Sequence, residues 1–252
     1  MKEKMRQVFK IMGAISLLLV AGAYFALSTQ VVAQKREEAV CQQINVLIVD
    51  STSAQLVLKE DVHTFLRKRG LTLAGEKITR IDLYQLEQMI KEEKGVENCE
   101  AYTQLNGVLT LRVEQKKPIL RLETARESLY LDQTGALFPT IPQRAAYVPV
   151  VSGNIPIERT EWIEQLHTFA CHIRNNRFWN AQIEQLYVHD IHNIEIIQRA
   201  GIHTTVLMGS LDQFEYKLQK LYTFYRTVAS IQGWNQYSSI DLRFNRQIVC
   251  RK

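Results

Sequence analysis

Residues Ile11 to Leu27 form a seventeen-residue run with no charge, and Ser16 is its only clearly polar member. At ~1.5 Å of rise per residue such a run covers roughly 26 Å as a helix. Val8 and Phe9 before it, and Val31 to Ala33 after it, extend it to the length of a membrane span. A cleaved signal peptide is the alternative, since Val31-Val32-Ala33 resembles a cleavage site, but the run is longer than a usual signal-peptide core. Lys2, Lys4, Arg6 and Lys10 stand before the run against Glu3, and Lys35-Arg36-Glu37-Glu38 after it sums to zero. The positive-inside rule then places the N-terminus in the cytoplasm and everything after residue 33 outside. The expectation is a cytoplasmic tail over 1–10 and one transmembrane helix over 11–33. Ile11, Leu17, Leu18, Leu19, Val20, Phe25 and Leu27 are among the residues in the bilayer. No second run of this length exists, so the chain reads as single-pass.

The remaining residues have the composition of a folded protein, with 46% apolar and 23% charged residues overall. The net charge is +5, and three of those units belong to the first ten residues. The small remainder gives no case for nucleic-acid binding. Cys41, Cys99, Cys171 and Cys250 show no metal-type spacing, and the sequence leaves disulfides and free thiols both open.

Residues 41 to 117 read as a first module. Ile44 to Ile48 is strand-like and ends at Asp50-Ser51-Thr52-Ser53. Lys59 to Arg69 puts Val62, Phe65 and Leu66 on one helical face, with Gly70 as a stop. Asp82 with Gln85 resembles a capping box for a second helix, whose inward face is Leu83, Leu86, Met89 and Ile90 and which Gly95 ends. Val96 to Thr103 and Val108 to Glu114 flank Asn106-Gly107, a pair that favours a type I′ hairpin turn. The order strand, helix, helix, strand, strand suits two helices on a three-stranded sheet.

Residues 118 to 252 read as a second module. Ile119 to Leu122 and Ser128 to Leu131 are strand candidates joined to Ala136–Pro139 by the turn Asp132-Gln133-Thr134-Gly135. Val148 to Val151 follows a loop marked by Pro139, Pro142 and Pro149. A helix over Glu158–Asn175 turns Trp162, Ile163, Leu166, Phe169, Ala170 and Ile173 inward. Ile183–Val188, Ile194–Gln198 and Thr204–Leu207, with turns at Asp190 and Gly201, suggest an antiparallel meander. Ser210 with Gln213 reads as a capping box before a stripe of Leu211, Phe214, Leu218, Leu221, Tyr222, Tyr225 and Val228. The expectation is a long antiparallel sheet with two packed helices.

The chain then closes on a period of two. Ile240, Leu242 and Phe244 alternate with Ser239, Asp241 and Arg243, Asn245-Arg246 turns, and Gln247 to Cys250 reads as a last short strand. That leaves one side of the last strand as a row of unpaired backbone groups, either a hazard or a docking site.

Catalytic patterns are weak. His189-Asp190-Ile191-His192 falls at a turn without a third ligand at a recognised spacing. His167, Cys171 and His172 share a helix, and His167 and Cys171 share a face, without an orienting group in view. Ser152-Gly153 lacks the nucleophile-elbow pattern and no Gly-rich phosphate loop occurs. The sequence implies no cofactor and no small-molecule substrate.

Three ordered segments carry a family resemblance: Tyr130-Leu131-Asp132-Gln133-Thr134-Gly135-Ala136-Leu137-Phe138-Pro139, Pro149-Val150-Val151-Ser152-Gly153 and Ile240-Asp241-Leu242-Arg243-Phe244. With the basic tail, single span and two modules, the chain resembles the bacterial cell division family FtsQ/DivIB over nearly its whole length. It departs where Lys94-Gly95-Val96 replaces a frequent Pro, and where Asn245-Arg246-Gln247 replaces a last turn that often holds Gly. The resemblance implies an α+β protein with a POTRA domain (β-α-α-β-β) over 41–117 and an FtsQ-type β-domain over 118–252. It implies a non-enzymatic divisome scaffold at the septum, in the inner membrane of a Gram-negative, Bacteroidetes-like cell, with its C-terminal domains periplasmic. Its implied partners are FtsB-like and FtsL-like proteins and other divisome components, with an FtsB-like strand adding to the terminal edge. Candidate contact residues are Arg243, Phe244, Gln247, Ile248, Val249 and Cys250, with Tyr222, Tyr225 and Arg226 on the last helix. Tyr222 and Tyr225 also read as core, and Arg243 as a solvated strand residue. The alternatives are a POTRA-type assembly or chaperone module for envelope proteins, and a secreted cell-wall enzyme.

Overall fold

The computed structural model describes residues 17, 20–25, 27, 39–49, 55–104, 106–200, 204–233 and 236–252. Most of the expected span lies outside these residues, including Ile11, Leu18 and Leu19. Residues 17, 20–25 and 27 are helical, and Leu17, Val20, Phe25 and Leu27 are exposed. Among the described residues no helix is long and apolar enough to cross a membrane. The chain divides into two compact units, one ending at Glu114 and the other built mainly on Gln115–Lys252.

The first unit starts from β1 (Gln43–Val49), followed by α1 (Lys59–Lys68), a 3-10 turn (Ile78–Arg80) and α2 (Leu83–Lys91). β2 (Val96–Thr103) and β3 (Val108–Gln115) complete it, in the sheet order β1-β3-β2. β3 is central and runs parallel to β1, from Gln43 opposite Val108 to Val49 opposite Glu114. Leu109, Leu111 and Val113 are accordingly fully buried. Apolar residues one turn apart seat the helices: Val62 and Leu66 on α1, Leu86 and Ile90 on α2. Each such fully buried side chain contributes about 1.5–3 kcal/mol. Asp82 caps α2, its Oδ1 accepting from the Gln85 N–H at 2.9 Å.

The hairpin turn differs from the I′ expectation. The Gly107 N–H donates to the Gln104 carbonyl and the Gln104 N–H to the Val108 carbonyl, at 3.1 and 2.9 Å. Gly107 therefore stands at the fourth position of its turn, with φ +81°, as in a three-residue loop closed by a bulge. A side chain there would meet the Val40 carbonyl oxygen at 2.6 Å, so the position needs glycine on two grounds.

The second unit contains β4 (Pro118–Glu123), β5 (Ser128–Asp132), β6 (Leu137–Pro139) and β7 (Val150–Gly153). After these come α3 (Thr160–Asn175), α4 (Arg177–Gln182), β8 (Ile183–Asp190), β9 (Asn193–Gln198) and β10 (Thr205–Gly209). Helix α5 (Phe214–Phe224) continues through a π turn (Tyr225–Ala229) and a last helical turn (Ser230–Gln232), and β11 (Ser239–Asp241) and β12 (Val249–Arg251) follow. The nine strands form one sheet in the order β12-β11-β10-β9-β8-β7-β4-β5-β6.

This sheet is mixed, which corrects the expectation of an antiparallel one. β4 with β7, β7 with β8, and β10 with β11 are parallel. Parallel neighbours need a crossover, and the helices supply two of them. α3 and α4 lead from β7 to β8, and α5 with its extension leads from β10 to β11. The β8-β9-β10 meander is antiparallel as expected, although its turn at Gly201 lies outside the described residues. All six residues expected on the inward face of α3 are buried.

Two further corrections concern helix ends. Gln213 does not complete a capping box from Ser210. It is itself the N-cap of α5, with φ +50°, and its side chain caps nothing. α4 was not expected at all. Asn176 starts it, its Oδ1 accepting from the N–H groups of Phe178 and Trp179.

Candidate functional site

β12 ends the order of the nine-stranded sheet and pairs on one side, antiparallel, with β11. Ser239 faces Arg251, Ile240 faces Cys250 and Asp241 faces Val249. Among the described residues the other side of β12 has no strand beside it. The sequence expectation of Gln247–Cys250 is offset: Gln247 and Ile248 precede the strand and Arg251 belongs to it. Ile248 and Cys250 are half-buried against the main core, while Gln247 is exposed.

The loop between β11 and β12 has its own framework. Lys220, one turn from the end of α5, donates to the carbonyls of Leu242, Phe244 and Gln247 at 3.0, 2.6 and 3.3 Å. Burial pulls its ammonium below the usual lysine range, and the charge of Asp241 offsets part of that. Arg246 sits at φ +60°, the left-handed region that glycine usually fills. Leu242 anchors the loop in the core, and Phe244 is 45% exposed.

Arg243 does not stand free in solvent. Its Nε and Nη2 donate to the two carboxylate oxygens of Asp241 at 2.9 and 2.6 Å, and its backbone N–H donates to Oδ1 at 3.0 Å. These bonds hold the Asp241 carboxyl below the usual range, against the opposing effect of burial. The stem of Arg243 crosses Gly209, where a Cβ would lie 2.9 Å from its Cγ. Arg243 is thereby oriented, with about half of its side chain exposed.

The helix residues named from sequence have different places. Tyr225 is core, and its hydroxyl donates to the Gln198 carboxamide oxygen. Burial pushes that phenol far above its ordinary range. Gln198 also accepts from Gln182 Nε2 at 3.1 Å and donates to the Thr204 carbonyl at 3.4 Å, and the Thr204 hydroxyl donates to the Tyr237 carbonyl at 2.5 Å. This buried polar chain leads from the π turn to the residues just before β11. Tyr222 is half-buried and stacks edge-on against Phe178, centroids 5.0 Å apart. Arg226 is exposed, its guanidinium carbon 5.9 Å from the Tyr222 ring centroid.

Sequence reasoning missed Lys220. Its targets are carbonyls 22 to 27 residues away, and no motif announces such a contact.

The histidine clusters have local partners. His189 Nε2 lies 3.0 Å from Glu195, and the backbone N–H of His192 donates to Asp190 Oδ1. His167 Nε2 lies 2.9 Å from the Gln133 carbonyl oxygen and 3.5 Å from Cys171 Sγ. Among the described residues no group of three or more His, Cys, Asp or Glu is placed to hold a metal ion. All four cysteines are free thiols. Burial, with the nearby Glu87 charge, pushes the Cys99 thiol up to about 11.

No curated protein matches the chain. A POTRA-like domain model matches residues 39–114, which span β1 to β3. A second family model, FtsQ/DivIB, C-terminal related, matches residues 117–251, more than half of the chain and the whole mixed sheet. With both matches in that order, the chain belongs to the FtsQ/DivIB family.

Proposed function

We propose that this protein is a non-enzymatic scaffold of the division machinery that links early and late division proteins. One span over residues 11–33 anchors it in the inner membrane, and its two folded units lie in the periplasm at the septum. It acts by strand addition: an FtsB-like partner, together with an FtsL-like one, lays an extended segment along the free side of β12. The observation that carries this reading is the terminal edge itself. Among the described residues β12 is paired on one side, and its loop is held by Lys220 and by the Asp241–Arg243 pair. A preorganised edge lowers the cost of ordering on binding. Backbone hydrogen bonds supply affinity, and Phe244, Gln247 and the side chains of β12 read the partner. Arg226 and Tyr222 flank the same unit as secondary contacts.

The test is binding of the full-length chain, in detergent, to its FtsB-like partner, compared with a chain ending at Ile248. The truncated chain keeps a cooperative melt and loses roughly 100-fold in affinity, equivalent to about 2.8 kcal/mol. Equal affinity for the two chains contradicts docking at β12.

A further inference from the structure

A cavity of about 160 Å³ lies within the second unit, well away from β12 in sheet order. Its floor is apolar, made by Ile119 and Leu120 of β4 and Ile173 of α3. Gln115 stands in its wall, and its polar rim is formed by Lys116, Lys117, Arg174 and Asn180, with the exposed ring of Tyr147 beside them. Among the described residues no carboxylate lines it.

Two of the rim cations, Lys116 and Arg174, are oriented by uncharged groups. Lys116 Nζ stands 4.9 Å over the Phe138 ring. Arg174 donates from both terminal nitrogens to the Gln133 carboxamide oxygen, at 2.7 and 2.5 Å, once that amide is turned to face it. Gln115 is 5% exposed, and its Oε1 is taken by the Val57 N–H at 2.8 Å. Among the described residues its Nε2 has no partner, an unmet buried donor in the wall of the cavity. Such orphaned groups call for an explanation, and an absent ligand is one. Outside the lining, the Arg199 guanidinium carbon stands 4.6 Å from the centroid of the Tyr147 ring.

Size narrows the ligand. A cavity of ~150 Å³ accepts a benzene-sized group, whereas most cofactor and drug-sized sites begin at about 300 Å³. An apolar floor under a cationic rim fits a carboxylate on a short aliphatic stem. The geometry points to a pocket that receives a glutamate side chain from an acidic segment of a protein partner, independently of any strand docked at β12. The carboxylate meets Lys116 and Arg174 at the rim, the Gln115 amide swings by a rotamer adjustment to donate to it, and the methylenes cover Ile119 and Ile173.

Full-length chain, isotopically labelled and in detergent, is titrated with three probes: acetyl-Ala-Glu-Ala-amide, its Gln counterpart and inorganic phosphate. The Lys116 and Arg174 side-chain NMR signals report binding. The Glu peptide is expected to shift them saturably, and the Gln peptide to bind roughly tenfold more weakly, the scale of one charge-assisted hydrogen bond. Arg174→Gln weakens the Glu peptide by a similar factor. Should that variant melt early, Lys116→Met, which retains the stem over Phe138, carries the same expectation. Equal binding of the Glu and Gln peptides overturns the proposal, as does the absence of any saturable shift. Phosphate binding as tightly as the Glu peptide also overturns it, in favour of a free-anion site.

Discussion

Arg246 holds a conformation that costs a side chain about 1–2 kcal/mol in the left-handed region. Glycine removes that cost but loosens the unfolded chain by roughly 0.4–1 kcal/mol. Arg246→Gly is therefore expected to stabilise the protein by about 0.5 kcal/mol, read as a higher thermal midpoint. A lower midpoint would mean that the arginine stem packs against the loop. Lys220 matters more, because three carbonyls share its ammonium. Lys220→Met leaves those acceptors to water or unpaired and should cost about 1–3 kcal/mol in urea unfolding. It should also weaken the partner at β12, since the loop loses its frame. Asp241 gives the pH dependence. Its carboxyl is depressed in the folded state, so its contribution is fully present above the unfolded value of about 3.9 and is lost as pH falls through the folded value. Half of Arg243 is in solvent, so screening keeps the effect modest. Asp241→Asn should lower stability at pH 7 and flatten the acid-side decline, and an unchanged acid slope would remove Asp241 from the account.

At the scale of elements, what sequence shows and what it hides follow from the range of the interactions. α3 is legible because six apolar residues recur at helical spacing and all six are buried. Asp82 is legible as a cap because its bond closes three residues away. The parallel pairs are not, since β7 meets β4 and β8 through long connections whose periodicity does not say which strands end side by side. The I′ turn failed because Asn-Gly also fits a three-residue loop, and Gln213 failed because a left-handed N-cap overrides the box pattern. The π turn at Tyr225–Ala229 is equally silent in sequence, yet it places Tyr225 on Gln198. Gln198→Leu removes the amide that bonds Tyr225, Gln182 and the Thr204 carbonyl, and should cost about 1–3 kcal/mol. Because the same amide reaches the Thr204 carbonyl, amide exchange in β11 should quicken in that variant. Exchange in β11 unchanged from the parent would confine Gln198 to a local packing role.

For the whole molecule, the strongest sequence signal was order. Three short segments without catalytic chemistry carry the family resemblance, and all three fall inside residues 117–251, which the FtsQ/DivIB model matches. The candidate site was legible as a terminal strand, but its register shifted to Val249–Arg251 and its main clamp, Lys220, was invisible. The reason is physical: alternation reveals a strand, while its end points and supports depend on contacts with a helix some twenty residues earlier. A partner strand that joins β12 forms a new ladder, and hydrogen exchange measures that ladder directly. Full-length chain is compared alone and with its FtsB-like partner, residue by residue. Slowed exchange is expected at alternate amides of Val249–Arg251, those whose N–H groups point away from β11. Unchanged exchange along β12, with protection gained on another surface of the bound chain, would contradict it.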